Sequence, residues 1–157
     1  MSTWIFQGNP DIFAVNEYLA NSKNRIISWS VRQKNYVEKI LPGDEVFIWR
    51  ADGRRRFSGG IVAKGIVISR PTVMEEGEEV IKLWKKYPGK EYRVKIFLEE
   101  VRLSTNDGII LRIEIEEDDI LKHLKIVNFR QHTNYLVESE FVNRLRLMWA
   151  LKKIGHF

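Results

Sequence analysis

The residues of this 157-residue chain best equipped for chemistry are its five tryptophans, its three histidines and a run of three arginines. Trp29 ends a β-rich stretch, Arg25 to Trp29, and Ser30 follows it directly. Trp49 lies near the end of the next such stretch, just before Asp52-Gly53. A side chain at a strand end can leave the core and line a pocket. Two indoles at neighbouring strand ends could clamp a flat ring such as a nucleobase or a methylated cation. Stacking of that kind stabilises by about 1–3 kcal/mol per base. Ser30 adds a hydroxyl and a backbone N–H beside the clamp. The plainer reading is that both rings are core, where aromatic stripes usually go.

Positive charge stands close by in sequence. Arg54, Arg55 and Arg56 follow Trp49, while Arg25, Arg32 and Lys34 flank Trp29. Basic residues interleaved with aromatics are the footprint of a surface that holds a nucleic-acid backbone. A charge run is also what a solvated turn looks like. Arg130, Gln131, Thr133 and Asn134 form a second polar cluster. Their amides could read a base edge or tie down the loop's own backbone.

Catalytic machinery is thin. His123, His132 and His156 lack metal-ligand spacing, and there is no H-E-x-x-H, no G-x-S-x-G and no P-loop. The absence of Cys removes disulfides, thiolate metal sites and a cysteine nucleophile together. Ser58-Gly59-Gly60 has no helix after it to cradle a phosphate, so a hairpin bulge is the better reading. Glu114 and Glu116 read as one outward strand face, with Glu117, Asp118 and Asp119 capping the next helix. No catalytic residue, metal or cofactor is expected.

These side chains need a scaffold, and the chain has the composition for one. Hydrophobic residues make up 44% and charged residues 30%, which sets disorder aside. Lys plus Arg number 26 and Asp plus Glu 21, a net 26 − 21 = +5 that permits a polyanion partner. No targeting segment or membrane-length apolar run appears, so a cytoplasmic protein with no membrane partner is expected. One domain over residues 1–157 is the expectation at this length.

The pattern predicts α+β. Trp4 to Gln7 reads as a strand stopped by Gly8-Asn9-Pro10. Asp11 caps a helix to about Asn21, and Ser30 caps a second whose stripe is Val37, Ile40 and Leu41. Glu45 to Ala51 and Gly60 to Ser69 form a hairpin. Residues 72–90 are polar around Val80, Ile81, Leu83 and Trp84, a loop with one or two helical turns. Glu91 to Leu103 and Ile109 to Ile115 read as strands. Asp118 to Leu121 suggests a short helix, Ile126 to Phe129 is extended, and Ser139 caps a last helix. The sum is a mostly antiparallel sheet of five or six strands, curled or closed into a small barrel and flanked by three longer helices.

Four ordered blocks resemble a known family. They are Trp4-Ile5-Phe6-Gln7-Gly8-Asn9-Pro10, Ile27-Ser28-Trp29-Ser30-Val31-Arg32-Gln33, Leu41 through Ala51 (LPGDEVFIWRA), and Gly59-Gly60-Ile61-Val62-Ala63-Lys64-Gly65. Thr133-Asn134 before a final helix is similar to the family's ending. The family is the EVE domain, of the PUA-like superfamily and related to the YTH readers. The resemblance implies a small β-barrel flanked by helices, with a pocket for a flipped or single-stranded modified base. Related domains are linked to modified cytosine in DNA, and YTH relatives to methylated adenine in RNA. On this match Trp29 corresponds to a cage tryptophan, with Ser30 adjacent and Trp49 as a second wall. Asn9, Thr133 and Asn134 would be polar groups of the pocket. No counterpart of a third cage aromatic is placed.

Three functions are open on these grounds. In the first, a non-catalytic module binds DNA or RNA, stacks a modified, methylated base in the Trp29–Trp49 pocket, and holds phosphates with Arg32, Lys34, Arg54, Arg55, Arg56 and Arg130. In the second, the chain is a nuclease or nucleobase-acting hydrolase of the ASCH type, for which the sequence offers only His132 and scattered carboxylates. In the third, the pocket takes a small planar metabolite, without steep salt dependence.

Overall fold

Glu45–Arg50 is buried at every position, as a strand covered on both faces must be. In the computed structural model, which describes residues 1–153, this strand is the spine of the molecule. The elements in order are β1 (Thr3–Gly8), α1 (Val15–Ala20), β2 (Ile26–Ser30), β3 (Glu45–Arg50), β4 (Gly60–Val67) and β5 (Thr72–Met74). They continue as α2 (Glu78–Ile81), β6 (Glu91–Val101), β7 (Ile110–Leu111), α3 (Arg112–Glu117), α4 (Lys125–Asn128), β8 (Asn134–Val137) and α5 (Ser139–Lys153).

The main sheet runs β2-β6-β4-β3-β1-β8, with β5 paired to β6 and β7 to β4. Every pairing is antiparallel except β1 with β3, where Thr3 to Gly8 register against Glu45 to Arg50. The result is a mixed sheet of six strands on one path, curled into a half-barrel with five flanking helices, which is the PUA-like architecture.

Strand periodicity separates two cores. On β1 and β3, Trp4, Phe6, Val46 and Ile48 face the concave side with Trp29, Val94, Ile96 and Leu98. Ile5, Phe47 and Trp49 face the other way, against Ile115, Leu145, Met148 and Trp149. A one-residue slip would exchange the cores, so the register is strongly specified.

The open ends of the path are joined by side chains. Asn134, fully buried on β8, donates from Nδ2 to Ser30 O at 3.0 Å and accepts Arg32 N at 2.9 Å. Gln33 Oε1 accepts Asn134 N at 2.8 Å and Thr133 N at 3.2 Å. Two amide side chains thus supply the bonds that strand pairing between β2 and β8 would have made.

Several elements differ from the sequence reading. The first helix begins at Val15, with Ala14 before it, rather than after Asp11. Ser30 caps no helix: its hydroxyl donates to Glu91, and only a 3₁₀ turn, Lys34–Tyr36, comes after it. Residues 112–117 are α3, not strand, so Glu114 and Glu116 sit on a helix, where Arg112 pairs with Glu116 one turn on. Residues 125–128 are α4 rather than extended chain. Residues 134–137 pair as β8. Of the flanking helices only α5 is long, in place of the three expected. His156 lies outside the described residues.

Candidate functional site

β1 ends at Gly8, and this glycine makes room for an indole. A Cβ there would lie 2.9 Å from Trp29 Cζ2 and 3.1 Å from Val15 Cγ2. Lacking one, the backbone lets the Trp29 ring lie against it, and Trp29 Nε1 donates to Gln7 O at 3.3 Å. Phe13 meets Trp29 edge-on, centroids 6.5 Å apart at 83°. Trp84 leans on Phe13 at 4.7 Å and 46°. Trp29, Phe13 and Trp84 make one aromatic wall of a cavity of about 330 Å³. Trp84 is half-buried, its Nε1 has no acceptor, and the Arg32 guanidinium lies 5.9 Å from its ring.

The polar part of the lining comes from β2, β6 and the segment after β5. Arg93, 1% exposed, bridges Glu76 and Glu91 at 3.3 Å each and donates to Gly89 O at 3.0 Å. A buried guanidinium requires such partners. Burial pushes the Glu76 carboxyl above its usual value, with Arg93 pulling the other way. Burial also acts upward on Glu91, but bonds from Arg32 and Ser30 outweigh it and the net shift is downward. Burial pushes the Tyr18 hydroxyl up to about 12, so it stays protonated. That hydroxyl accepts Ser28 N at 2.7 Å and donates to Ser28 O at 3.2 Å.

The mouth is a loop held from β1. Gln7 Nε2 donates to Arg130 O at 3.0 Å and His132 O at 2.8 Å, and Gln7 N donates to Thr133 O at 2.7 Å. Asn9 Oδ1 accepts Asp11 N at 2.9 Å and fixes the turn after β1.

Trp29, Ser30, Trp49, Asn9, Thr133, Arg32 and Arg130 all line this cavity. Asn134 does not: its amide is spent on bridging the two ends of the half-barrel. Lys34 is exposed on the 3₁₀ turn and is not in the lining. Trp29 and Trp49 do not form a facing clamp. β6 and β4 separate their strands, alternation puts the rings in different cores, and they are 6% and 1% exposed. Trp49, almost fully buried, offers the cavity little surface, and half-buried Trp84 supplies the more open indole. In the sequence Trp84 stands with Val80, Ile81 and Leu83 as a short apolar patch in a polar segment, too short to assign the indole a face.

Arg54, Arg55 and Arg56 are exposed on the β3–β4 loop, which Asp52 braces by accepting Gly59 N at 2.7 Å and Phe57 N at 3.2 Å. Arg50 reaches from β3 to Ser58 O at 2.7 Å. None of the three loop arginines forms an ion pair among the described residues. Also among the described residues, no group of three His, Asp or Glu could hold a metal ion, and no helix is long and apolar enough to cross a membrane.

The curled mixed sheet, with a cavity lined by aromatic and polar groups, agrees with the PUA-like fold that the resemblance implies. Comparison supplies the family: the EVE domain profile matches residues 2–148, and the chain belongs to that family. Solved structures of the same fold include human THYN1 in complex with 5-methylcytosine-containing DNA, at 14% identity and TM-score 0.68, covering 98% of each chain. Rpa0253 from Rhodopseudomonas palustris matches at 14% and 0.67, covering 96% of this chain and 94% of that one. A hypothetical protein from Leishmania major matches at 14% and 0.66, covering 97% of each. At these identities the likeness is one of fold. No curated protein matches the chain.

Proposed function

We propose that this protein is a non-catalytic reader of nucleic acid that receives one methylated base in the cavity beside Trp29. The observation that carries this reading is the pairing of an aromatic wall with buried polar groups inside about 330 Å³. That volume is at the small end of ligand sites, about 300–1,000 Å³, and suits one planar ring rather than an extended cofactor. Trp84 and Phe13 offer apolar surface for stacking, and Glu76 and Ser28 offer groups for the base edge. Arg130 and the loop arginines offer charge for phosphates. The methylated DNA bound to human THYN1, a protein of the same fold, supports the choice of ligand.

Extruding a base costs a few kcal/mol, which stacking and edge contacts must offset. A methyl group in an apolar cleft adds only about 1 kcal/mol, so methylated and plain DNA should differ by roughly tenfold or less.

The test is a titration of labelled oligonucleotides that differ by one 5-methylcytosine. Trp84→Ala should weaken binding of the methylated strand by roughly ten- to a hundredfold, the worth of one stacked base, while Trp84→Phe keeps most of it. Equal affinity of wild type and Trp84→Ala would reject the cavity as the base site. Cleavage of the oligonucleotide, lost in His132→Ala, would favour the hydrolytic reading instead.

A further inference from the structure

Phe57 is the most exposed aromatic side chain among the described residues, at 73%, and it sits at the tip of the β3–β4 loop with φ +64°. Bulky residues rarely adopt that conformation. Here it is imposed by bracing on both sides: Asp52 Oδ2 accepts Phe57 N at 3.2 Å, and the Ser58 hydroxyl donates to Arg55 O at 2.5 Å. The ring is thus held out on a loop that is already ordered, so little further ordering is needed when it meets a partner.

The surroundings indicate which partner. Three arginines precede Phe57 directly, and the Arg56 guanidinium lies 5.9 Å from its ring. A neighbouring groove of about 300 Å³ is lined by Arg56, Phe57, Ile113 and Glu116. It shares Asp52, Arg112 and Arg130 with the base cavity. The ring therefore stands one groove away from the place where a base would enter, beside Arg54, Arg55 and Arg56, none of which is in an ion pair among the described residues, while Arg112 across the groove is paired with Glu116.

We propose that Phe57 is a wedge that enters the base stack at the position the extruded base leaves, so that the preferred ligand is a duplex. The proposal rests on the base-receiving reading above and adds the strandedness of its ligand. Extrusion opens a gap between flanking base pairs, and an apolar side chain placed there restores part of the lost stacking. The arginines hold the phosphates on either side of the opened step. A single strand presents no closed stack to be held open, so the ring contributes little to it.

The experiment uses the whole chain and one sequence with one 5-methylcytosine, offered as a duplex and as the single strand. A 2-aminopurine beside the target reports unstacking. Phe57→Ala should weaken duplex binding by about tenfold or more and single-strand binding by no more than about twofold, since a side chain this exposed carries little of the fold. It should also reduce the 2-aminopurine rise seen with wild type. Phe57→Leu, still apolar and bulky, should retain most of both signals. Equal losses on the two ligands, or no loss on the duplex while Trp84→Ala still loses affinity, would overturn the wedge and leave the cavity reading standing. Indifference of wild type to methylation, together with no effect of Trp84→Ala, would remove both.

Discussion

A phenylalanine at φ +64° crowds its Cβ against the following carbonyl, at a cost of about 1–2 kcal/mol. Little packing offsets it, because the ring is mostly in solvent. Glycine would be free of that crowding but would lose about 0.5–1 kcal/mol of backbone entropy on folding. Phe57→Gly should therefore raise unfolding stability by on the order of 1 kcal/mol, measured by urea denaturation. A lowered midpoint would mean the ring packs against the body and is no outward wedge. Single residues were the hardest scale to read in the sequence. Trp29 and Ser30 stood out because a strand visibly ends there, and both line the cavity. Asn134 was equally visible as a polar residue near the end of a loop, yet nothing local says that its partners are Ser30 and Arg32, about a hundred positions away. Trp84 and Glu76 come from a segment with no regular period, and only the folded chain places them beside Trp29.

At the scale of elements, strands with a strict two-residue period were legible, and short helices were not. Ile109, Leu111, Ile113 and Ile115 alternate as a strand would, yet residues 112–117 form α3. A few residues of alternation cannot distinguish the two, and the Arg112–Glu116 pair at helical spacing favours the helix. Asp118 ends α3 and ties it both to the next turn and to α5. Its carboxylate accepts Leu121 N at 2.9 Å, Ile120 N at 3.2 Å and Arg144 Nε of α5 at 2.9 Å. Burial acts to raise its pKa, but these donors outweigh it and hold it below the ordinary aspartate value of 3.8. A depressed carboxylate stabilises the fold above its unfolded pKa, and that contribution fades as pH falls through the folded one. Glu91 and Glu100 act in the same direction from 4.5, whereas Glu76, raised by burial, acts oppositely. Asp118→Asn should cost about 1–2 kcal/mol at neutral pH, and should flatten the loss of stability below about pH 4. Unfolding curves across that range would check it, and an unchanged acid limb would show that other carboxylates dominate.

At the scale of the whole molecule, a net charge of +5 says less than its placement. Arg54, Arg55 and Arg56 are exposed on the β3–β4 loop, and Arg56 lines the groove that adjoins the cavity edged by Arg130, while Arg32 is largely spent on Glu91. If four arginines meet phosphates, the logarithm of affinity should fall with the logarithm of salt at a slope near −3 to −4, about −0.9 per contact. Arg55→Ala should reduce that slope by about one and weaken methylated and plain oligonucleotides alike, as read from anisotropy at several salt concentrations. A change confined to the methylated ligand would place Arg55 at the base instead. The curled architecture was readable from the order of strand patterns and the four familiar blocks. The expectation of two opposed tryptophans was not met, because strand order in a barrel is set by long-range pairing that local pattern does not encode.

The barrel's closure has a mechanical meaning. β2 and β8 are held together by a latch of two amide side chains, and Ser30 and Thr133, one from each jaw, both border the cavity. Anything seated between those jaws would tighten the ring from within, and anything that springs the latch would spread them. If a guest seats there, the amides of Gln33 and Asn134, neither of which lines the cavity, would set how far the two edges of the half-barrel part.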